Sequence, residues 1–150
     1  MRITPHFTLA EVEKSHTAIR YGIDNTLPRY LIPAATAVAE NILEPCRLHF
    51  GKPISPTSWY RCLELNRVKN GSVGSQHMKA EAVDFEIAGV SNLALAKWIR
   101  DNCEFDQLIL EFYKDGEESS GWVHCSYSLS RNRKDVKRTP DGKTYIKGLE

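Results

Sequence analysis

Ala82-Val83-Asp84-Phe85-Glu86-Ile87 is the stretch from which the fold can be worked out. Val83, Phe85 and Ile87 fall on one side of an extended chain and Ala82, Asp84 and Glu86 on the other, the period-two pattern of a half-buried strand. Two further runs alternate in the same way. In Gln107 to Tyr113, Leu108, Leu110 and Phe112 share a face with Glu111 opposite; in Gly121 to Tyr127, Val123, Cys125 and Tyr127 share a face with Trp122 and His124 opposite. The polar residues from Lys114 to Ser120 join these runs, which predicts a hairpin with a long loop. Glu111 and His124 can then meet on one face of a sheet.

Helical signals surround the strands. Thr8 and Glu11 form a capping-box pattern, with Phe7 and Val12 placed as its staple. Leu31, Ala35, Val38, Ala39 and Ile42 recur at helical spacing to about Leu48, which makes this the main core helix. Pro33 suits its first turn, whereas Pro45 removes a backbone donor and predicts a kink near Cys46. A small helix fits Leu63 to Lys69, and Ser91 caps another whose apolar stripe is Leu95, Trp98, Ile99 and Cys103. The fold class that follows is α+β. A small antiparallel sheet carries polar groups on one face, with helices near residues 31–48 and 92–103 packed on the other.

Composition bounds what such a fold can be. The 150 residues suffice for one compact core, so a single domain is expected over 1–150, with 130–150 as a peripheral basic ribbon or tail. Twenty Lys and Arg against nineteen Asp and Glu leave a net charge of +1, so no global charge excess marks a nucleic-acid binder. Apolar runs are too short to cross a bilayer, and the opening residues carry no apolar signal core, so a cytoplasmic protein is expected. The four cysteines, Cys46, Cys62, Cys103 and Cys125, lack any C-x-x-C pair and read as buried thiols.

The polar residues His77, Asp84 and His124 need a reason to stand beside apolar strands. Two imidazoles and one carboxylate are a donor set that zinc uses in hydrolytic sites, where a fourth position is left to water. A nearby carboxylate can take a proton from that water. His77 follows a Gly/Ser/Asn loop, Asn70 to Ser75, of the kind on which function is often sited.

The wording around these residues carries a resemblance. Ser75-Gln76-His77-Met78-Lys79-Ala80-Glu81-Ala82-Val83-Asp84 resembles the S-x-H-x-x-G-x-A-x-D motif of the M15 peptidases, zinc DD-peptidases related to hedgehog domains. Trp122-Val123-His124 is similar to the W-x-H segment that supplies their third metal ligand, and Thr57-Ser58-Trp59-Tyr60-Arg61 to their T-S-G-Y-R segment. The likeness runs from Phe7-Thr8-Leu9 to Asp106-Gln107-Leu108-Ile109 and is to short, single-domain members found in bacteriophages and prophages.

The resemblance implies that Zn2+ is held by His77, Asp84 and His124, and that Arg61 clamps substrate near the scissile bond. It makes Ser75 a substrate contact or a support for the ligands. It implies hydrolysis of a peptide bond in the peptidoglycan stem peptide, either as a D,D-carboxypeptidase or as an endopeptidase of endolysin type that reaches the cell wall on release. Two positions depart from the pattern. Ala80 replaces the motif glycine, and Gly121 stands where many relatives place their catalytic acid. Glu111 is therefore the candidate base, with Glu81 and Glu86 as alternatives. The alternative function is a zinc-bearing structural or wall-binding module of a phage particle that has lost its chemistry. The basic run from Arg131 to Arg138 reads as a solvated tail or, as a second reading, a polyanion-binding one.

Overall fold

A computed structural model of the chain describes residues 1–150. It opens with a small ribbon, β1 (Arg2–Thr4) and β2 (Phe7–Thr8). Thr8 then caps α1 (Leu9–Glu13). The Thr8 hydroxyl accepts from the Glu11 amide, and Glu11 accepts from the Thr8 amide at 3.1 Å. Phe7 and Val12 are fully buried beside it, as the capping box and staple require. Ser15 repeats the device at α2 (His16–Tyr21), accepting from the Ala18 amide.

From Ile32 to Phe50 the chain stays helical in three consecutive pieces: α3 (Ile32–Val38), a π-helical segment (Ala39–Leu43) and α4 (Glu44–Phe50). The disturbance expected at Pro45 takes this form. In α geometry the proline ring would press on the Asn41 carbonyl, and the missing N–H would break one hydrogen bond. The wider π turn, in which the Glu44 amide reaches back to the Ala39 carbonyl, lets the helix pass through the proline without ending. Gly51, at φ 65, closes α4 with its amide on the Arg47 carbonyl at 3.0 Å. Two more helices complete the layer. In α5 (Leu63–Val68) the Cys62 sulfur accepts from the Leu65 amide, and in α6 (Asn92–Asn102) the Ser91 hydroxyl accepts from the Ala94 amide.

The main sheet contains β3 (Ala82–Phe85), β4 (Gln107–Glu111), β5 (Trp122–Ser126), β6 (Asp135–Thr139) and β7 (Ile146–Lys147), in the order β3-β5-β4-β6-β7. The pairings are antiparallel except for β4 with β6, which is parallel. Val83, Phe85, Leu108, Leu110, Val123 and Cys125 meet Val38, Ile42, Leu95 and Ile99 in a core of 28 buried residues. Helices thus cover one face, and the expected α+β architecture is the observed one. All four cysteines are free, and Cys46, Cys103 and Cys125 are buried. No helix is long and apolar enough to cross a membrane.

Two strand expectations are corrected. All four residues of β3 are buried rather than alternate ones, because the 76–79 turn closes over its second face and the 57–61 segment pairs along its edge. Phe112 does not join Leu108 and Leu110 in the core. Its backbone turns to φ 51 and leaves the ring 45% exposed, stacked on Trp122 at 5.2 Å, while Tyr113 is buried.

Candidate active site

The register of β3 on β5 sets Asp84 opposite His124, with both side chains on the face away from the core. His124 Nδ1 stands 2.9 Å from Asp84 Oδ1. His77 comes from above on a single 3-10 turn, Gln76–Lys79, which its own sequence builds. Ser75 Oγ accepts from the His77 amide at 3.2 Å, and the Ala80 amide closes the turn on the Gln76 and His77 carbonyls. Ala80 adopts φ 56, so the alanine keeps a left-handed conformation at a cost of about 1–2 kcal/mol.

The outer edge of β3 is closed by the segment that carries Arg61. The Asp84 amide donates to the Ser58 carbonyl at 2.8 Å and the Thr57 amide to the Asp84 carbonyl at 2.9 Å. This lays Trp59 and Arg61 beside His77. The Arg61 amide donates to the His77 carbonyl at 3.1 Å, and His77 Nδ1 donates to the Trp59 carbonyl at 2.6 Å. Trp59 itself is core, 1% exposed and edge-on to Phe7.

A carbonyl oxygen only accepts, so Nδ1 of His77 carries a proton, and in the neutral imidazole Nε2 keeps its lone pair. That lone pair faces Asp84 Oδ2 at 3.4 Å. Two acceptors therefore confront each other in a buried pocket with no hydrogen to share. Burial pushes the His77 imidazole below its ordinary pKa, against the pull of Asp84. Burial also works against the Asp84 charge, but His77 and His124 outweigh it and hold the carboxyl well below the usual carboxylate range. A neutral imidazole and an ionised carboxyl are the states in which both groups give electron pairs to a cation. One donor atom from each of His77, Asp84 and His124 lies within 4.8 Å of the others. This nitrogen-and-oxygen donor set, with its unmet pair of acceptors, fits a zinc ion.

Arg61 and Glu111 flank the group. Arg61 Nη2 lies 3.6 Å from Asp84 Oδ2, and Nε donates to Ser58 Oγ at 3.2 Å, which fixes the plane of the guanidinium. Glu111 ends β4 opposite Trp122, one step along the same face from the Ile109–His124 pair. Burial raises the Glu111 pKa, with His124 and Arg61 pulling the other way. Of the alternative acids, only Glu81 lines the same cleft. Glu81 accepts from Gln76 Nε2 at 3.3 Å on the cleft rim, and Glu86 is exposed and accepts from Asn92 in a separate depression. Ser75, His77, Asp84, Glu111, His124 and Arg61 all line one cleft of about 1220 Å³.

Gly121 has no room for a side chain. Its φ is +66, and a Cβ would stand 1.8 Å from the Glu111 carbonyl oxygen and 2.8 Å from the Phe112 carbonyl carbon. The hairpin pinches at this point, where Phe112 also takes its left-handed turn. Gly121→Ala is expected to cost about 2–4 kcal/mol through overpacking and strain. A urea unfolding midpoint indistinguishable from the parent's would show that the strands are not held this closely.

One support of the site was not foreseen. Gln76 Nε2 donates to Asp106 Oδ2 at 3.0 Å, and Arg133 grips the same carboxylate with Nε at 2.8 Å and Nη2 at 2.9 Å. The turn that bears His77 is thereby tied to the chain beyond β5. Gln76 and Asp106 lie in stretches of the resemblance, whereas Arg133 lies in the basic run beyond them, where no local pattern points to this contact.

Residues 5–126 match the family model described as Peptidase M15. The chain belongs to the peptidase M15 family. No curated protein matches it. M15 peptidases are typically zinc-dependent, in keeping with the donor set of His77, Asp84 and His124. The match to the M15 family ends at Ser126, the last residue of β5, and leaves β6 and β7 outside it.

Proposed function

We propose that the protein hydrolyses a peptide bond in the stem peptide of bacterial peptidoglycan, with zinc held by His77, Asp84 and His124. The observation that carries the zinc reading is the buried, unshared contact of His77 Nε2 with Asp84 Oδ2 in a chain of a peptidase family. The peptidoglycan substrate is supported by the resemblance of the motifs around His77, His124 and Arg61.

Bound zinc supplies Lewis acidity, polarising the scissile carbonyl and making a water nucleophilic near neutral pH. Glu111 serves as the base that takes the proton of the attacking water and returns it to the leaving amine. Its half-buried position raises its proton affinity toward the range in which it can both accept and give. Arg61, held in orientation by Ser58 and Asp84, offers paired donors to the substrate carbonyl or a carboxylate next to it. Ser75 positions His77 through its amide and leaves its hydroxyl at the cleft wall as a substrate contact.

Digestion of purified peptidoglycan, followed by mass spectrometry of the released muropeptides, tests this function. The expected result is a cleaved stem peptide whose formation stops with a chelator and resumes with added zinc. Stoichiometric zinc binding with no product would replace the hydrolase by a wall-binding or structural module.

A further inference from the structure

The face that carries the metal group continues across the sheet. Asp84 pairs with His124, His124 with Ile109, and Ile109 with Lys137, so one cross-strand row runs from β3 through β5 and β4 to β6. Side chains at paired positions leave the same face. Lys137 therefore stands two strands from His124, about 10 Å along the sheet. Ile109 forms the apolar step between them, and Glu111 lies on the same face close enough for Lys137 to favour its charge.

Three observations make this end of the cleft a built surface. β6 pairs with β4 over five residues, Leu149 beyond β7 is 4% exposed in the core, and Tyr113 donates to the Thr139 carbonyl at 2.9 Å. Lys137 Nζ is held 5.3 Å over the Tyr145 ring and 3.2 Å from Asp135. The turn at Asp141 spends its carboxylate on its own backbone, accepting from the Lys143 amide at 2.8 Å and the Thr144 amide at 2.7 Å. Lys143 lines the same cleft, two residues from the Asp141 carboxylate, whose charge those amides hold in place. The whole segment lies beyond residues 5–126, so it is an addition to the part that the M15 family model describes.

We propose that Lys137 and Lys143 form a second subsite, which binds a free carboxylate of the peptide two to three residues from the scissile bond. The spacing follows from a rise of about 3.3 Å per residue for an extended peptide laid across about 10 Å of sheet. The proposal rests on the peptidase reading of the site and adds a specificity to it. Peptides with that carboxylate free are preferred over those in which it is a carboxamide. A lysine is suited to this discrimination, because it gives an ammonium to a carboxylate and little beyond an ordinary hydrogen bond to an amide.

The test uses two synthetic stem-type peptides that differ only in this group, free acid in one and carboxamide in the other. Binding is measured by titration calorimetry on zinc-loaded Glu111→Gln protein, and cleavage separately on the unaltered protein. The acid is expected to bind about fivefold to tenfold more tightly, the effect of partly exposed charge pairs. Lys137→Met with Lys143→Met brings this ratio below about twofold, while Lys97→Met, on the opposite side at Glu150, keeps it. Equal binding of the two peptides, no binding of either, or a preference that survives loss of both lysines overturns the subsite. Lysine-dependent binding of polyphosphate without a peptide preference also overturns it, in favour of a polyanion surface. A lysine-dependent preference in binding without cleavage supports the subsite and removes the hydrolase reading instead.

Discussion

Glu111→Gln leaves zinc binding intact and lowers kcat by about 10²–10⁴, the range of a lost general base. Glutamine keeps the shape and the hydrogen-bonding reach of the side chain but cannot accept the proton of the attacking water. The same substitution separates stability from catalysis. Burial raises the folded-state pKa of Glu111, so its charged form is the one that the folded protein disfavours. Above the ordinary glutamate value of about 4.3 this group subtracts from stability, and the subtraction disappears as pH falls through and below that value. Chelator-treated Glu111→Gln protein should therefore melt higher than the chelator-treated parent at pH 7. Retention of more than a tenth of kcat in the variant would move the base to another group.

Asp84→Asn removes the charge to which both imidazoles and Arg61 are directed. Zinc affinity is expected to fall by more than about a hundredfold, beyond what loss of a mere support to a metal ligand costs. Hydrolysis falls with it. Without metal the effect on stability has a defined pH signature. The folded-state pKa of Asp84 is depressed, because His77 and His124 outweigh the penalty of its burial. Its contribution is thus fully present above the unfolded value of about 3.9 and is lost as pH falls below it toward the folded value. Urea midpoints of chelated parent and Asp84→Asn protein should differ widely at pH 6 and converge as pH falls below 4. A constant difference across that range would mean that Asp84 acts through shape and not charge.

The parts of this site that were legible in the sequence are those set by periodicity and capping. Asp84 and His124 sit at odd steps in runs of buried apolar residues, so strand alternation alone turns them to the same face. Ser91 and the Thr8–Glu11 pair announce their helices through side chains that satisfy free amides. The parts that were not legible depend on backbone groups or distant partners. The Trp59 carbonyl that orients His77 is a main-chain oxygen, which any residue would supply. The parallel pairing of β6 with β4 needs no turn between them and leaves no local pattern. Phe112 fits the alternation of β4 and is diverted where Gly121, just before β5, packs against the Glu111 and Phe112 backbone. The π turn before Pro45 is likewise invisible to a rule that knows only α geometry.

Crystals grown with zinc and measured at the zinc absorption edge give the most direct examination of the metal assignment. One anomalous peak is expected per chain, in contact with His77, Asp84 and His124 together, and absent from Asp84→Asn crystals treated alike. A peak that touches fewer than three of these side chains, or none at all in a fully soaked crystal, contradicts a zinc centre built from them.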